Sequence, residues 1–376
     1  MIDTIVLTMK NNDFTIVDWS CFEFHTEAPR YGYSKATCNP DSKKFGYSPR
    51  LTFENRFGDK SLRIEFSVPK LLFGNNFDEV EDSDFEEVVK KLHQYLTSKN
   101  VGTIPDIIRK AQVSTTHYSK NIVLTDYTTS RMVLSELKKV NLPKWFEANE
   151  KFHANGGNTL YLSTKSGSFA IVSYDKIKEL EQEKITSKGR VEKDGAIQLS
   201  LLDNFKNMQP FEVFRIEIRF CNRKKLNTIL VKLKLETELK FENLFCNKIS
   251  KTILQNYWQT IEDSTSYLTI ETGSNSRLIE RIVKANPEIK AKKALAVCAT
   301  MMIIKEVGTI KFRQMMSPIM ADRYWYDFQP EVREAIKDLL GKNYLAMAQV
   351  GEQLEEFKPV KLKDYPNFEI CNVNNS

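Results

Sequence analysis

Tyr174 stands where an apolar run, SFAIVS, gives way to a charged one, DKIKEL. A phenol at a strand-to-helix junction, backed by Lys176, Lys178 and Glu179, has the surroundings of a nucleophile aimed at a phosphate. Tyrosine attacks poorly at neutral pH because its pKa is about 10, so it needs nearby positive charge or a metal-polarised phosphate. Lys178 at i+4 shares a helical face with Tyr174, and Lys176 reaches the same helix start. The N-terminus of that helix adds N–H donors and positive potential, which favour an anion. A half-buried tyrosine that finishes a strand, with a solvated charged helix behind it, fits the same residues when they are taken alone.

Carboxylates to hold a metal come from two arginine-bearing strands, LRIEFSVPK with Glu65 and VFRIEIRF with Glu217. In each, the acid alternates with basic or polar neighbours, Arg63 and Ser67 in the first and Arg215 and Arg219 in the second. A hard divalent cation, Mg²⁺ or Mn²⁺, takes such oxygen ligands and lowers the charge barrier to attack on a phosphodiester. Cross-strand Arg–Glu pairs on a wet sheet face use the same residues. His117 alternates with Thr115 and Ser119, and Asn121 follows; this polar row offers a third ligand or a plain surface. From Arg215 to Lys251 there are ten Lys or Arg against four Glu, including Arg223, Lys224 and Lys225 directly after the second strand. That local excess suits a phosphate backbone.

The elements that must position these groups follow from the apolar patterning. Ile2–Met9 reads as a first strand, Tyr47–Asn55 and Ser61–Val68 as a hairpin through RFGDK, and Gln112–Leu124 as a long strand. Thr159–Thr164 and Ser168–Ser173 form a second hairpin, with Tyr174 at its far end, and 211–220 alternates strictly. Helices are predicted over Asp84–Leu96, Thr129–Lys139, Lys176–Ile185, Glu242–Thr260 and Ala291–Lys305, with a polar connection over 186–196. The change from mixed strand and helix to helix alone puts a boundary within 262–290. The expected fold is therefore α+β, a central antiparallel sheet flanked by helices over 1–261, followed by a smaller, mainly helical C-terminal domain over 275–376.

Composition narrows the function classes. The 376 residues are 41% hydrophobic and 28% charged with a net charge of +6, ordinary for a globular protein and compatible with a polyanionic partner. The six cysteines show neither paired spacing nor zinc-ligand spacing. The start lacks a signal-peptide pattern, and the longest apolar run, Ala294–Ile304, is shorter than the roughly 20 residues a membrane helix needs. A cytoplasmic location with no membrane partner is expected. There is no GxxxxGK[ST], GxGxxG or GxSxG, which removes the usual arguments for nucleotide or hydrolase chemistry. Phe312, Arg313, Arg323, Tyr324, Trp325 and Tyr326 mix aromatic and basic residues, for stacking on unpaired bases or for a helical core.

The opening MIDTIVL, the segment FSVPKLLFGNNF, the strand around His117 to Asn121, SYDKIKEL and FRIEIR occur in the order found in one family. Over residues 1 to about 245 the chain resembles the gene II/gene X replication initiators of filamentous phages and related plasmids and prophage elements. That family is similar to the HUH-type rolling-circle endonucleases, although the two-histidine motif is absent here. The resemblance implies Tyr174 as nicking tyrosine, Lys176 and Glu179 as its companions, and Glu65 and Glu217 as acidic strand positions. Asn121 stands where relatives can carry an acid, with His117 nearby. The implied activity is metal-dependent nicking and rejoining of single-stranded or locally melted origin DNA, through a 5′-phosphotyrosyl link and a free 3′-OH. Host DNA polymerase and helicase are the implied partners. Two alternatives stay open: a sequence-specific DNA-binding replication regulator without catalysis, and a nuclease that uses water. The helical pattern around Gly308 resembles a helix-turn-helix and suits DNA, a partner, or packing.

Overall fold

Strict alternation of apolar and polar residues builds strands with one dry and one wet face, and this chain repeats the pattern until ten strands share one sheet. The computed structural model describes residues 1–25, 32–39, 47–125, 128–140, 146–149, 159–164, 166–180, 212–235, 237–265, 275–319 and 345–364. The strands of the main sheet are β1 (Ile2–Lys10), β3 (Glu23–Phe24), β4 (Tyr33–Cys38), β5 (Arg50–Arg56), β6 (Asp59–Ser67), β8 (Gln112–Leu124), β9 (Phe146–Asn149), β10 (Thr159–Thr164), β11 (Phe169–Asp175) and β12 (Glu212–Phe220). Their order is β3-β4-β5-β6-β1-β8-β12-β11-β10-β9, with antiparallel neighbours throughout. A small pair, β2 (Thr15–Ile16) and β7 (Val101–Gly102), lies apart. The α+β class and the antiparallel sheet flanked by helices are as expected.

The hairpin of β5 and β6 turns more tightly than RFGDK suggests. Only Phe57 and Gly58 intervene, both at positive φ, the geometry of a two-residue turn that matches strand twist. The dry face carries Ile5, Leu7, Met9, Leu62, Ile64, Tyr118, Ile122, Ile216, Ile218 and Phe220, all fully buried. Helix α2 (Phe85–Ser98) contributes Val88, Val89, Leu92 and Leu96 to the same core. The helix expected at 242–260 is instead two: α7 (Phe241–Leu244) and α8 (Asn247–Thr265), the latter burying Ile253, Leu254 and Trp258 in that core. Ahead of these, α6 (Arg223–Lys232) follows β12 and is capped by Asn222, whose Oδ1 accepts from the Lys225 amide at 2.9 Å. Short helices α1 (Val68–Phe73), α3 (Pro105–Lys110), α4 (Ser130–Lys139) and α5 (Lys176–Leu180) connect strands.

Beyond residue 275 the described helices fall into two groups. α9 (Asn275–Ala285), α10 (Ala291–Val307) and α11 (Thr309–Met316) build a small core from Leu278, Ile282, Val297, Ile304 and Phe312. Gly308, between α10 and α11, has φ 82°. By contrast, α12 (Leu345–Glu356) returns to the sheet, burying Val350 and Leu354 in the main core. Where β8 outruns β1, Gln353 of α12 accepts from the Val123 amide at 3.0 Å and donates to its carbonyl at 2.7 Å. Gln349 accepts from the Thr125 amide at 2.9 Å and donates to its carbonyl at 3.3 Å. Two amide side chains one helical turn apart thus stand in for a neighbouring strand. No helix among the described residues is long and apolar enough to cross a membrane. Residues 181–211, with the predicted rest of the helix to 185 and the polar connection, and 323–326 with their aromatic cluster, lie outside the described residues.

Candidate active site

Directly opposed residues of an antiparallel ladder share a face, and on the wet face three rows cross the middle of the sheet. One row is Asn121, Arg215, Tyr174 and Thr159; the next is Ser119, Glu217, Val172 and Tyr161; the third is His117, Arg219, Ala170 and Ser163. The register brings Tyr174 and Glu217 onto adjacent rows as diagonal neighbours, roughly 7 Å apart in such a ladder. Tyr174 is not the first residue of a helix: it lies inside β11, one place before its end, and is 8% exposed.

Asp3, His117 and Glu217 come together as a potential metal centre, with one ligand atom of each within 4.8 Å of the others. Asp3 gets there by a β-bulge. Ile2 opposes Tyr118 while Thr4 opposes His117, so β1 carries one extra residue at this point. Without the bulge Asp3 would face the core; with it, Asp3 and Thr4 both face the wet side, and Ile2 stays buried. Asp3 Oδ2 accepts from Thr4 Oγ1 at 2.9 Å, and Oδ1 pairs with Arg215 Nη2 at 2.6 Å. Glu217 is 2% exposed; Arg219 clasps it with two bonds of 3.0 Å, and His117 Nδ1 lies 3.1 Å from Oε1. Burial alone would raise the Glu217 carboxyl, but Arg219 and His117 outweigh it and hold the group well below the usual carboxylate range. Burial likewise opposes charge on His117, yet hydrogen bonds to Cys221 and Glu217 lift it to about 9.

Arg215 stands between the triad and Tyr174, opposite the tyrosine and bonded to Asp3. It is 2% exposed, and besides Asp3 it donates to Ser119 Oγ at 2.8 Å, the Asn76 carbonyl at 2.8 Å and Asn121 Oδ1 at 3.4 Å. The Asn76 contact depends on Gly74, which ends α1 at φ 76° and lets Asn75, Asn76 and Phe77 turn over the end of the wet face. Burial pushes the Tyr174 phenol well above its ordinary value; Arg215 works against that shift, while Glu217, Glu179 and Asp3 add to it. Arg215 stays charged despite its own burial because the carboxylates of Asp3, Glu217 and Glu79 surround it.

The other expected site residues are placed as follows. Lys176 is fully buried, bonds Glu179 Oε2 at 2.7 Å, and lies 6.0 Å from the centre of the Tyr174 ring. Lys178 is half exposed and pairs with Asp175 at 3.6 Å. Asn121 is fully buried and serves structure: its Nδ2 donates to the Phe77 carbonyl at 2.7 Å, and its backbone amide donates to Glu79 Oε1. Glu65 is exposed on β6, opposite Val6 and Arg50; β1 lies between β6 and β8, which puts the two roughly 10 Å apart, and Glu65 is outside the triad. Arg63 is exposed beside it. Arg223, Lys224 and Lys225 form the first turn of α6. Asp3 was missed by sequence reasoning, yet a signal exists. The apolar residues of β1 that face the main core are Ile2, Ile5, Leu7 and Met9, with Val6 buried on the opposite face, and the step of three before steps of two marks the inserted residue.

A tyrosine-bearing strand, a carboxylate–imidazole triad and a buried arginine between them thus occupy one sheet face, assembled from segments spread over most of the chain. No curated protein and no solved structure gives a significant match, but residues 30–243 match the N-terminal model of the replication-associated protein family of the phage gene II type. The match spans more than half of the chain and takes in β8, β11 and β12, and the chain belongs to this family of phage replication-associated proteins.

Proposed function

We propose that the chain initiates rolling-circle replication by nicking and rejoining single-stranded or locally melted origin DNA through Tyr174. The observation that carries this reading is the shared face: Tyr174 stands directly opposite Arg215, and Arg215 in turn holds Asp3 of the triad. Two carboxylates and one imidazole are a donor set suited to Mg²⁺ or Mn²⁺, and the ligand atoms are close enough together for one ion. Such an ion would supply Lewis acidity toward a non-bridging phosphate oxygen. His117 would have to give up a proton to act as a ligand, so a bound cation would replace the hydrogen it shares with Glu217.

The chain's own residues supply the rest. Tyr174 Oη attacks phosphorus in line with the 3′-oxygen, a phosphotyrosyl bond forms at the 5′ side, and the P–O3′ bond breaks. The proton lost by the phenol is matched by the proton gained at the departing 3′-oxygen, and reversal rejoins the strand without ATP. Arg215 steadies the negative charge on the attacking oxygen. Lys176, neutralised by Glu179, packs against the ring and fixes its orientation. The free 3′-OH suits extension by a host DNA polymerase, with a helicase to open the duplex.

The burial of Tyr174 favours a second reading, a DNA-binding regulator of replication without chemistry. One experiment separates the two. Wild type and Tyr174→Phe are incubated with Mn²⁺ and labelled single strands tiled across the protein's own replicon, then resolved on a denaturing gel. A labelled protein adduct that vanishes in the Phe variant is the expected result. Cutting without an adduct points to a water-using nuclease, and binding without cutting to the regulator.

A further inference from the structure

At the other end of the wet face, β8 begins with a second bulge. Val6 opposes Thr115 but Leu7 opposes Val113 and Thr8 opposes Gln112, so Ser114 is the extra residue. Val113 stays buried while Gln112 turns to the side that bears Thr115 and His117. Arg223 Nη2 donates to Gln112 Oε1 at 2.7 Å, which docks the first turn of α6 on the start of β8. Between them opens a groove of about 660 Å³ whose lining includes Gln112, Arg223, Lys224, Asn227, Glu238 and Lys240.

The chemistry of this lining is specific in two respects. Three cations face one carboxylate, and only Lys240 is matched by it, at 2.5 Å from Glu238. Arg223 binds a neutral amide, and neither it nor Lys224 has a carboxylate partner among the described residues, so the groove keeps a positive surplus. No aromatic side chain of the described residues lines it. Cations and amides without stacking platforms grip phosphates and leave bases unread. Gln112 lies five residues before His117 on the same strand, roughly 15 Å at strand rise, too far for one phosphodiester to touch both places.

We propose that this groove seats the DNA strand flanking the nick and holds its backbone phosphates without regard to sequence. The proposal rests on reading the Tyr174 face as the nicking centre, and it is tested without any cleavage. In full-length Tyr174→Phe protein, binding of labelled oligo-dT strands of increasing length is followed by fluorescence anisotropy across a NaCl series, with and without Arg223→Ala and Lys224→Ala. The slope of log affinity against log salt should shrink by about 0.7 for each phosphate no longer gripped, about 1.4 for the pair. The weakening should grow with strand length, reaching about tenfold at physiological salt. Arg223→Lys with Lys224→Arg should restore the slope.

A pair of exposed lysines elsewhere, Lys90→Ala with Lys248→Ala, controls for overall charge. An unchanged slope in the groove variant, or an equal loss in the control pair, overturns the proposal. So does a loss independent of strand length, which would place the two residues at the nicking centre itself. Failure of the nicking reading shows separately, as absence of adduct from wild type.

Discussion

The tripeptide Arg-Ile-Glu occurs twice, at 63–65 in β6 and at 215–217 in β12. Both copies point the isoleucine into the core, Ile64 and Ile216 being fully buried, and both put the arginine and glutamate on the wet face. There the likeness ends. Arg63 and Glu65 are exposed, with Thr8 and Val6 opposite on one side and Thr52 and Arg50 on the other. Arg215 and Glu217 are 2% exposed, among Asp3, His117, Ser119, Asn121, Arg219 and Tyr174. The same local pattern gives solvated charges in one place and a charged network in the other. The difference lies in which strands flank each copy.

The sharpest test of the contrast replaces the two glutamates in turn. Glu217→Gln leaves Arg219 and protonated His117 without their buried anion, at a cost of about 3 kcal/mol in urea unfolding. It should also abolish Mn²⁺ binding by calorimetry. Glu65→Gln should shift stability by less than about 0.5 kcal/mol and leave the metal titration unchanged. Equal effects from the two substitutions would mean that Glu65 serves the centre too, and the contrast would be lost.

The arginines repeat the test at smaller scale. Arg215→Lys keeps the charge but not the fork that reaches Asp3, Ser119 and Asn76 together. Adduct formation and Mn²⁺ affinity should each fall about 10- to 100-fold, the range for residues that orient metal ligands. Arg63→Lys should be silent in both assays. The pH dependence bears on the same pair. Because burial pushes the Tyr174 phenol above its usual 10, the phenolate fraction is small at neutral pH and grows about tenfold for each unit of pH. The rate of adduct formation should therefore climb from pH 7 to 9 without a plateau. A plateau below pH 8 would show that phenol ionisation does not limit the step.

Much of this is legible in the residues alone. Gln112–Leu124 and Thr159–Thr164 end where their alternation predicts, and Tyr174, His117 and Glu217 stand out by type. What alternation cannot show is sheet order. Whether Glu65 or Asp3 joins Glu217 depends on β1 lying between β6 and β8, a long-range pairing with no trace in either segment alone. Asn121 reads as a ligand because a strand pattern does not reveal that the Asn75–Phe77 turn arrives to claim its amide. Likewise the helical pattern of 345–356 gives no hint that Gln349 and Gln353 will complete a strand edge.

That edge supplies the mildest test. The row bearing Arg215 and Asn121 stays buried only while β8 runs straight beyond the end of β1, and Gln353 holds it there through both polar groups of Val123. Gln353→Ala removes two hydrogen bonds and leaves a half-buried amide and carbonyl unpaired, a loss of about 1 to 2 kcal/mol by thermal or urea unfolding. Hydrogen exchange should speed up at Val123 and Thr125 and leave the amides of β5 and β6 as they were, because those strands pair without help from α12. A chain cut at residue 275 should show the same local loosening, more strongly. If instead the cut chain keeps Val123 protected, α12 is dispensable to the sheet, and all helices after residue 275 form one appended unit.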